Sequence, residues 1–196
     1  MAELFDHIPD RVSIYEVGPR DGLQNEAVSI GTVRKLRLID ALCAAGLSRI
    51  EITSFVSPHW IPQLADADRL ADLVGQREGK QLSALCPNGR GLARARVADL
   101  REIAVFLSAS ETHNRRNINK SVDQALGVFR EMVPQALRYG MRVRAYVSTA
   151  WGCPYEGDVD PRRVLELSRS LIELGCYEIS LGDTIGVGTP LQTKRI

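Results

Sequence analysis

Long apolar runs are missing from this chain: nothing approaches the roughly 18 uninterrupted apolar residues that a membrane-spanning helix needs. Met1 to Asp10 has neither the basic and apolar regions of a signal peptide nor the Arg-rich character of an organelle transit sequence, so a cytoplasmic protein without a membrane partner is expected. An imbalance of charge is also missing. Lys plus Arg number 25 against 24 for Asp plus Glu, and a net charge of +1 gives no reason to expect nucleic acid as a partner. Cysteine is scarce and scattered. Cys43, Cys86, Cys153 and Cys176 form no Cys-x-x-Cys, which argues against structural zinc or a disulfide framework and for free thiols in a reducing compartment.

What is present is an ordinary globular composition, 44% hydrophobic and 25% charged over 196 residues, enough to bury one sizeable core. A single domain over residues 1–196 is expected, with residues 1–10 as an N-terminal arm. The charge clusters Arg115-Arg116 and Arg162-Arg163 suit solvated helix faces.

Strand and helix signals alternate along the chain. Val12 to Val17 is rich in residues that fit a pleated surface and reads as a first strand, stopped by Gly18-Pro19. Arg20-Asp21-Gly22 then falls on a turn at the C-terminal end of that strand. A helix is expected after Ser29, with apolar positions from Val33 to Ala45 and Gly46 at its close. Arg49 to Thr53 reads as a second strand carrying Glu51, followed by a long turn and a helix opened by Pro62.

Gln81 to Cys86, Glu102 to Ser108, Met141 to Ser148 and Tyr177 to Leu181 read as four more strands. The helices between them are expected at Gly91 to Ala98, Ser121 to Tyr139 with a kink at Pro134, and Val164 to Leu174 behind the cap Asp160-Pro161. Leu191 to Ile196 marks where a sixth helix should begin.

Repeats of this kind with near-continuous apolar strands point to a parallel β/α architecture, and both a barrel and a doubly wound sheet satisfy the pattern. Polar residues recur at strand C-termini, and no Gly-x-Gly-x-x-Gly follows the first strand. Both features favour the (β/α)8 TIM barrel, of which about six β/α units fit in this length, since eight need about 250 residues. At the strand C-termini of such a barrel ligands bind. There Arg20 offers forked, permanently charged donors to a carboxylate, carbonyl or enolate, and Asp21 offers a hard oxygen to a divalent cation.

Four blocks carry a resemblance: Glu16-Val17-Gly18-Pro19-Arg20-Asp21-Gly22-Leu23-Gln24-Asn25; Ile50 to Pro58; Gly152-Cys153-Pro154-Tyr155-Glu156-Gly157; and Gly175 to Gly188. Together they resemble the 3-hydroxy-3-methylglutaryl-CoA lyase family, part of the barrel metallolyase superfamily that also holds isopropylmalate and homocitrate synthases. Arg-Asp-Gly is shared across the superfamily, whereas the Gly-Leu-Gln-Asn continuation, Ser-Phe-Val-Ser-Pro and Gly-Cys-Pro-Tyr-Glu-Gly are similar to the lyase branch.

The resemblance implies retro-Claisen cleavage of a branched 3-hydroxyacyl-CoA to acetyl-CoA and acetoacetate, with Mg²⁺ or Mn²⁺ as cofactor, an acyl-CoA as substrate and a homodimer as assembly. It implies Asp21 as metal ligand, Arg20 as the donor that holds the thioester oxygen, and Glu51 as the acid that orients Arg20 or a metal-bound water. Gln24 is implied as a member of the same substrate-binding network, and Asp183 as a proton-transfer or orienting group. Asn88 and Arg115-Arg116 are the candidates for the CoA side.

The family's His-x-His ligands, its asparagine ligand and its Cys-bearing Gly-rich loop have no counterpart here. His7, His59 and His113 stand singly in loops or the N-terminal arm, and Cys153 corresponds to an earlier family segment than the catalytic thiol. These 196 residues alone are therefore expected to bind the metal weakly and to turn over little substrate. They are also expected to leave the first and sixth strands as unpaired apolar edges. A Claisen-type synthase and a non-catalytic acyl-CoA-binding fragment are the alternatives.

Overall fold

The computed structural model describes residues 9–196, and His7 with most of the N-terminal arm lies outside them. The chain divides into two compact units, one of residues 13–105 and 135–143, the other of 106–134 and 144–196 together with 9–12.

The first unit opens with β1, Tyr15–Glu16, much shorter than the strand expected over Val12 to Val17. Val12 and Ile14 are 81% and 61% exposed. Their β-branched character meets no neighbouring strand or core, so propensity alone does not extend the ladder. A five-residue π-helical turn, Gly18–Gly22, follows in place of a simple reverse turn. Next come α1 (Thr32–Ala44), β2 (Arg49–Ser54), α2 (Ala67–Val74), β3 (Gln81–Leu85) and α3 (Gly89–Val97).

α1 begins two residues later than Ser29 suggested, with Gly31 at its N-cap position. Pro62 opens only a three-residue 3-10 turn, Pro62–Leu64, ahead of α2. Strands β1, β2 and β3 pair in parallel, with Tyr15 opposite Arg49 and Ile50 opposite Leu82. The fully buried Ile39, Ile50, Ile52, Leu70, Ala84 and Ala95 make the layer between sheet and helices. Lys35 on α1 is 1% exposed. Its Nζ donates to the carbonyl of Gln63 and to Asp66 Oδ1 at 2.5 Å each, fastening the segment after β2 to α1.

β4, Glu102–Ser108, pairs with β3 through its first residues, Ser83 standing opposite Glu102. Its dense apolar run is buried almost throughout, as a strand covered on both faces requires. At the starts of these strands, Tyr15 Oη lies 2.5 Å from Ser83 Oγ and donates to Glu102 Oε1 at 3.0 Å.

In the second unit, Ser110 caps α4 (Glu111–Ile118), so His113, expected in a loop, is helical, and Arg115 and Arg116 lie on a helix as their charge cluster suggested. A reciprocal cap between Ser121 and Gln124 starts α5 (Val122–Arg138), which contains Pro134. β5 (Arg142–Ser148) follows, then a hairpin of β6 (Gly152–Cys153) and β7 (Gly157–Asp158).

Asp160 accepts from Arg162 N at 2.9 Å and Pro161 occupies the first position of α6 (Pro161–Glu173). β8 (Glu178–Leu181) pairs in parallel with β5, Arg144 opposite Glu178. α7 (Pro190–Arg195) begins on a Thr189–Gln192 capping box, where the last helix was expected to start. The main sheet runs in the order β1-β2-β3-β4-β5-β8, so β1 and β8 are its edges. No helix among the described residues is long and apolar enough to cross a membrane.

Candidate active site

The π-helical turn after β1 is built by four neighbours. The carbonyl of Val17 accepts both the Arg20 amide at 3.0 Å and the Asp21 amide at 2.7 Å. Pro19 contributes no donor at a position where a helical turn leaves amides unpaired. At the start of the turn Gly18 N donates to Glu16 Oε1 at 2.6 Å. A Cβ at residue 18 would stand 2.7 Å from that same oxygen, so glycine is what allows the carboxylate to approach.

This turn sends Arg20 inward and leaves Asp21 facing out. Arg20 is buried, 8% exposed, and its Nε donates to Oε1 of Glu51, which has no exposure at all. Glu51 sits in β2 beside an irregularity in the pairing with β3, between Glu51 and Thr53, the kind of local twist that re-aims a side chain. A buried carboxylate is tolerated only with a fixed opposite charge, and a guanidinium that never deprotonates supplies one. The charge of Glu51 also acts on Cys86. Burial first, and Glu51 second, push that thiol far above its ordinary range.

The other edge of the guanidinium faces Asp21: Nη1 lies 2.5 Å from Oδ1, and the Asp21 side chain is 52% exposed. Gln24 Nε2 reaches the same oxygen at 3.3 Å, and Asn25 Nδ2 braces the turn by donating to the Asp21 carbonyl at 2.7 Å. Arg20, Asp21, Gln24 and Glu51 are thus one connected network at the C-terminal end of β1 and within β2. Glu16 is the member that sequence reading missed. Its position two residues before a glycine whose amide donates to a side-chain oxygen was the available signal.

Asp21 has the chemistry for one corner of a divalent cation's shell, a hard carboxylate oxygen at the surface. Among the described residues no group of three or more His, Cys, Asp or Glu side chains surrounds a common point, so a single ligand is what this network provides.

Asp183 belongs to the second unit, in the loop after β8. Its Oδ1 accepts from Val187 N at 3.0 Å and its Oδ2 from Gly188 N at 2.8 Å. It therefore orders its own loop, while each oxygen keeps a lone pair for other work.

Several other candidates have structural employment. Asn88 caps α3 through Gly91 N at 3.1 Å, Arg115 pairs with Glu111 at 2.9 Å, and Arg116 lies 4.3 Å from the centre of the Tyr155 ring. His59 is exposed and meets the edge of Trp60. His113 is held at Nδ1 by Ser108 Oγ at 2.6 Å. Burial lowers its pKa below the ordinary 6.5, against an opposing pull from Glu156. Cys153 is buried and donates to Ser110 Oγ at 2.9 Å. All four cysteines are free.

The HMGL-like family profile matches residues 11–196. Over 190 residues the chain is 48% identical to the 3-hydroxy-3-isohexenylglutaryl-CoA/hydroxy-methylglutaryl-CoA lyase of Pseudomonas aeruginosa, covering 97% of this chain and 63% of that protein. It is 50% identical over 189 residues to the cytoplasmic 3-hydroxy-3-methylglutaryl-CoA lyase of Mus musculus, covering 96% of this chain and 55% of that protein. The crystal structure of the Bacillus subtilis HMG-CoA lyase superposes with a TM-score of 0.93 at 50% identity, over 95% of this chain and 63% of that one. The parallel sheet and its helices match that TIM-barrel structure. The chain thus spans between 55% and 63% of the length of these relatives.

Proposed function

The chain belongs to the HMGL-like family, and from that premise we propose that it serves a carbon-carbon lyase that cleaves 3-hydroxy-3-methylglutaryl-CoA to acetyl-CoA and acetoacetate. The carrying observation is the Arg20 guanidinium, fixed on a fully buried Glu51 and presented beside a half-exposed Asp21.

Loss of the proton from the C3 hydroxyl drives electrons through the C2–C3 bond and leaves negative charge on the thioester oxygen. A donor that strengthens its hold as this charge grows lowers the barrier. Arg20 is that donor: its position is set by Glu51 and Asp21 before substrate arrives, so no reorganisation accompanies the reaction. Glu51 orients the guanidinium. Gln24 extends the network toward the substrate. Asp183 moves the proton, using the lone pairs its loop amides leave free.

Asp21 would hold a divalent cation, Mg²⁺ or Mn²⁺, which when bound supplies Lewis-acid polarisation to the substrate's oxygens. The cytoplasm is the proposed compartment, as the name of the mouse relative says of that protein. A homodimer is the proposed assembly.

The test is acetoacetate release from the acyl-CoA by the purified native protein in Mg²⁺, with Arg20→Gln as the comparison. Metal-dependent release that disappears in the variant is expected. Release of free CoA from acetyl-CoA plus a keto acid, without acyl-CoA cleavage, would establish a synthase instead.

A further inference from the structure

Glu156, at the exposed tip of the β6–β7 hairpin, plays no part in the network around Arg20, yet its carboxylate is tied to α4. Its Oε1 accepts the amide of Thr112 at 2.6 Å, in the first turn of α4, where a helix leaves its amides unpaired and favours negative charge. Hydrogen bonding from the Thr112 side chain above all, then from the Thr112 amide, Ser110 and Glu111, holds its carboxyl below the ordinary range against the opposing effect of burial.

Two further contacts bind the same hairpin to the same helix. The Tyr155 ring lies under the Arg116 guanidinium at 4.3 Å and meets the His113 ring at 6.1 Å. Cys153 Sγ donates to Ser110 Oγ at 2.9 Å, the hydroxyl that caps the helix.

The root of the hairpin packs against the loop that carries Asp183. A Cβ at Gly152 would stand 2.8 Å from Val187 Cγ2, so the hairpin backbone touches that side chain directly. Gly188 is equally close from the other side: a Cβ there would stand 2.9 Å from Asp183 Oδ2 and 3.1 Å from Trp151 Cγ. Val187 and Gly188 are the two residues whose amides hold the Asp183 carboxylate. Preceding residues complete the seat. Thr149 N donates to Thr184 Oγ1 at 2.8 Å and Ala150 N to the Gly182 carbonyl at 3.0 Å, with Thr149 held at a φ of 58°.

We propose that Glu156 is a positioning residue: by seating the β6–β7 hairpin on the first turn of α4 it holds Trp151 and Gly152 against the Val187–Gly188 segment, and so fixes the Asp183 carboxylate. The inference rests on the proposed role of Asp183 in the reaction. A hairpin of two-residue strands has little stability of its own, so its position is set by what it is fastened to. Side chains that carry chemistry need such support to hold their geometry.

Amide hydrogen exchange and steady-state kinetics on the purified native protein, with Glu156→Ala, Glu156→Gln and Asp183→Asn, test this. In Glu156→Ala the Val187 and Gly188 amides should exchange at least tenfold faster while Ala145 and Val147 in β5 keep their protection. The kcat should fall tenfold or more with KM within twofold. Glu156→Gln keeps a neutral acceptor for Thr112 N and should recover part of both losses. Should Glu156→Ala loosen β5 as well, the glutamine variant supplies the same comparison.

Unchanged exchange at Val187 and Gly188 overturns the proposal, as does faster exchange with normal kcat while Asp183→Asn is inactive. Faster exchange with normal kcat in both Glu156→Ala and Asp183→Asn supports the positioning and overturns the reading of Asp183.

Discussion

Arg20 and Glu51 form a buried ion pair in which the guanidinium Nε donates to a carboxylate with no solvent contact, 31 residues apart in the chain. Removing Glu51 takes away the buried partner of the guanidinium while its link to the half-exposed Asp21 remains, and loss of a buried partner typically costs roughly 3–5 kcal/mol. Glu51→Ala is therefore expected to lower unfolding free energy by about that amount in urea denaturation. A loss below about 1 kcal/mol, the range of surface pairs, would show that the pair is solvated.

Arg20→Lys keeps the charge and loses the fork. A lysine ammonium cannot address Glu51 and Asp21 from two edges at once while also facing a substrate oxygen. The proposed chemistry then predicts a fall in kcat on the order of 100- to 1,000-fold, the usual effect of deleting an oxyanion donor. A variant within tenfold of the native kcat would remove Arg20 from that role.

Gly18→Ala and Glu16→Ala should not be independent. The added methyl strikes the oxygen that holds Gly18 N, so either change alone loosens the turn. In a double-mutant cycle the combined loss should be clearly smaller than the sum of the single losses, measured on either stability or activity. Simple additivity would show that the Glu16 contact does not organise the turn.

His113 supplies a pH dependence of stability. Burial depresses its pKa in the folded state, so between its ordinary value of 6.5 and the folded value the unfolded chain binds more protons. Stability is then fully present above that window and declines as pH falls below about 6.5 toward the folded pKa. Urea midpoints taken from pH 7 downward should show the decline, and His113→Gln should flatten this part of the curve. A native profile already flat there would contradict the assignment.

The buried thiols should be inert. Cys86 is driven far above the ordinary thiol range by burial, and Cys176 is pushed up to about 12 by burial as well. Thiolate is the reacting form, so a disulfide reagent at pH 8 should label both only after denaturation. Rapid labelling of either in the native protein would mean that its segment opens readily.

Local signals were legible wherever the responsible contacts are local. Asp160-Pro161 and the Ser121 to Gln124 pair announce their helices because the capping atoms lie within three residues. The apolar run of β4 announces itself because both faces are covered. α4 escaped detection for the opposite reason. It has no apolar stripe, Asn114 is its one buried residue, and it draws on Ser110 and on Glu156 from a segment 44 residues away. β1 failed in the other direction, its apolar Val12 and Ile14 finding nothing to pack on.

The same division applies to the site. Arg20 and Asp21 are adjacent and readable as a pair, and Gln24 is within one turn of them. That Glu51 is Arg20's partner, and that Glu16 secures the turn, depends on strand register and on a backbone approach that composition does not encode.

One carbonyl, that of Val17, receives the amides of both Arg20 and Asp21. The cationic and anionic groups are therefore mounted on a single knuckle of backbone and cannot be re-aimed separately. On the proposed chemistry, a sequence change that tilts this knuckle to suit a different metal ion would also swing the guanidinium away from its acyl target, so affinity for the ion and selectivity for the substrate would have to evolve in step.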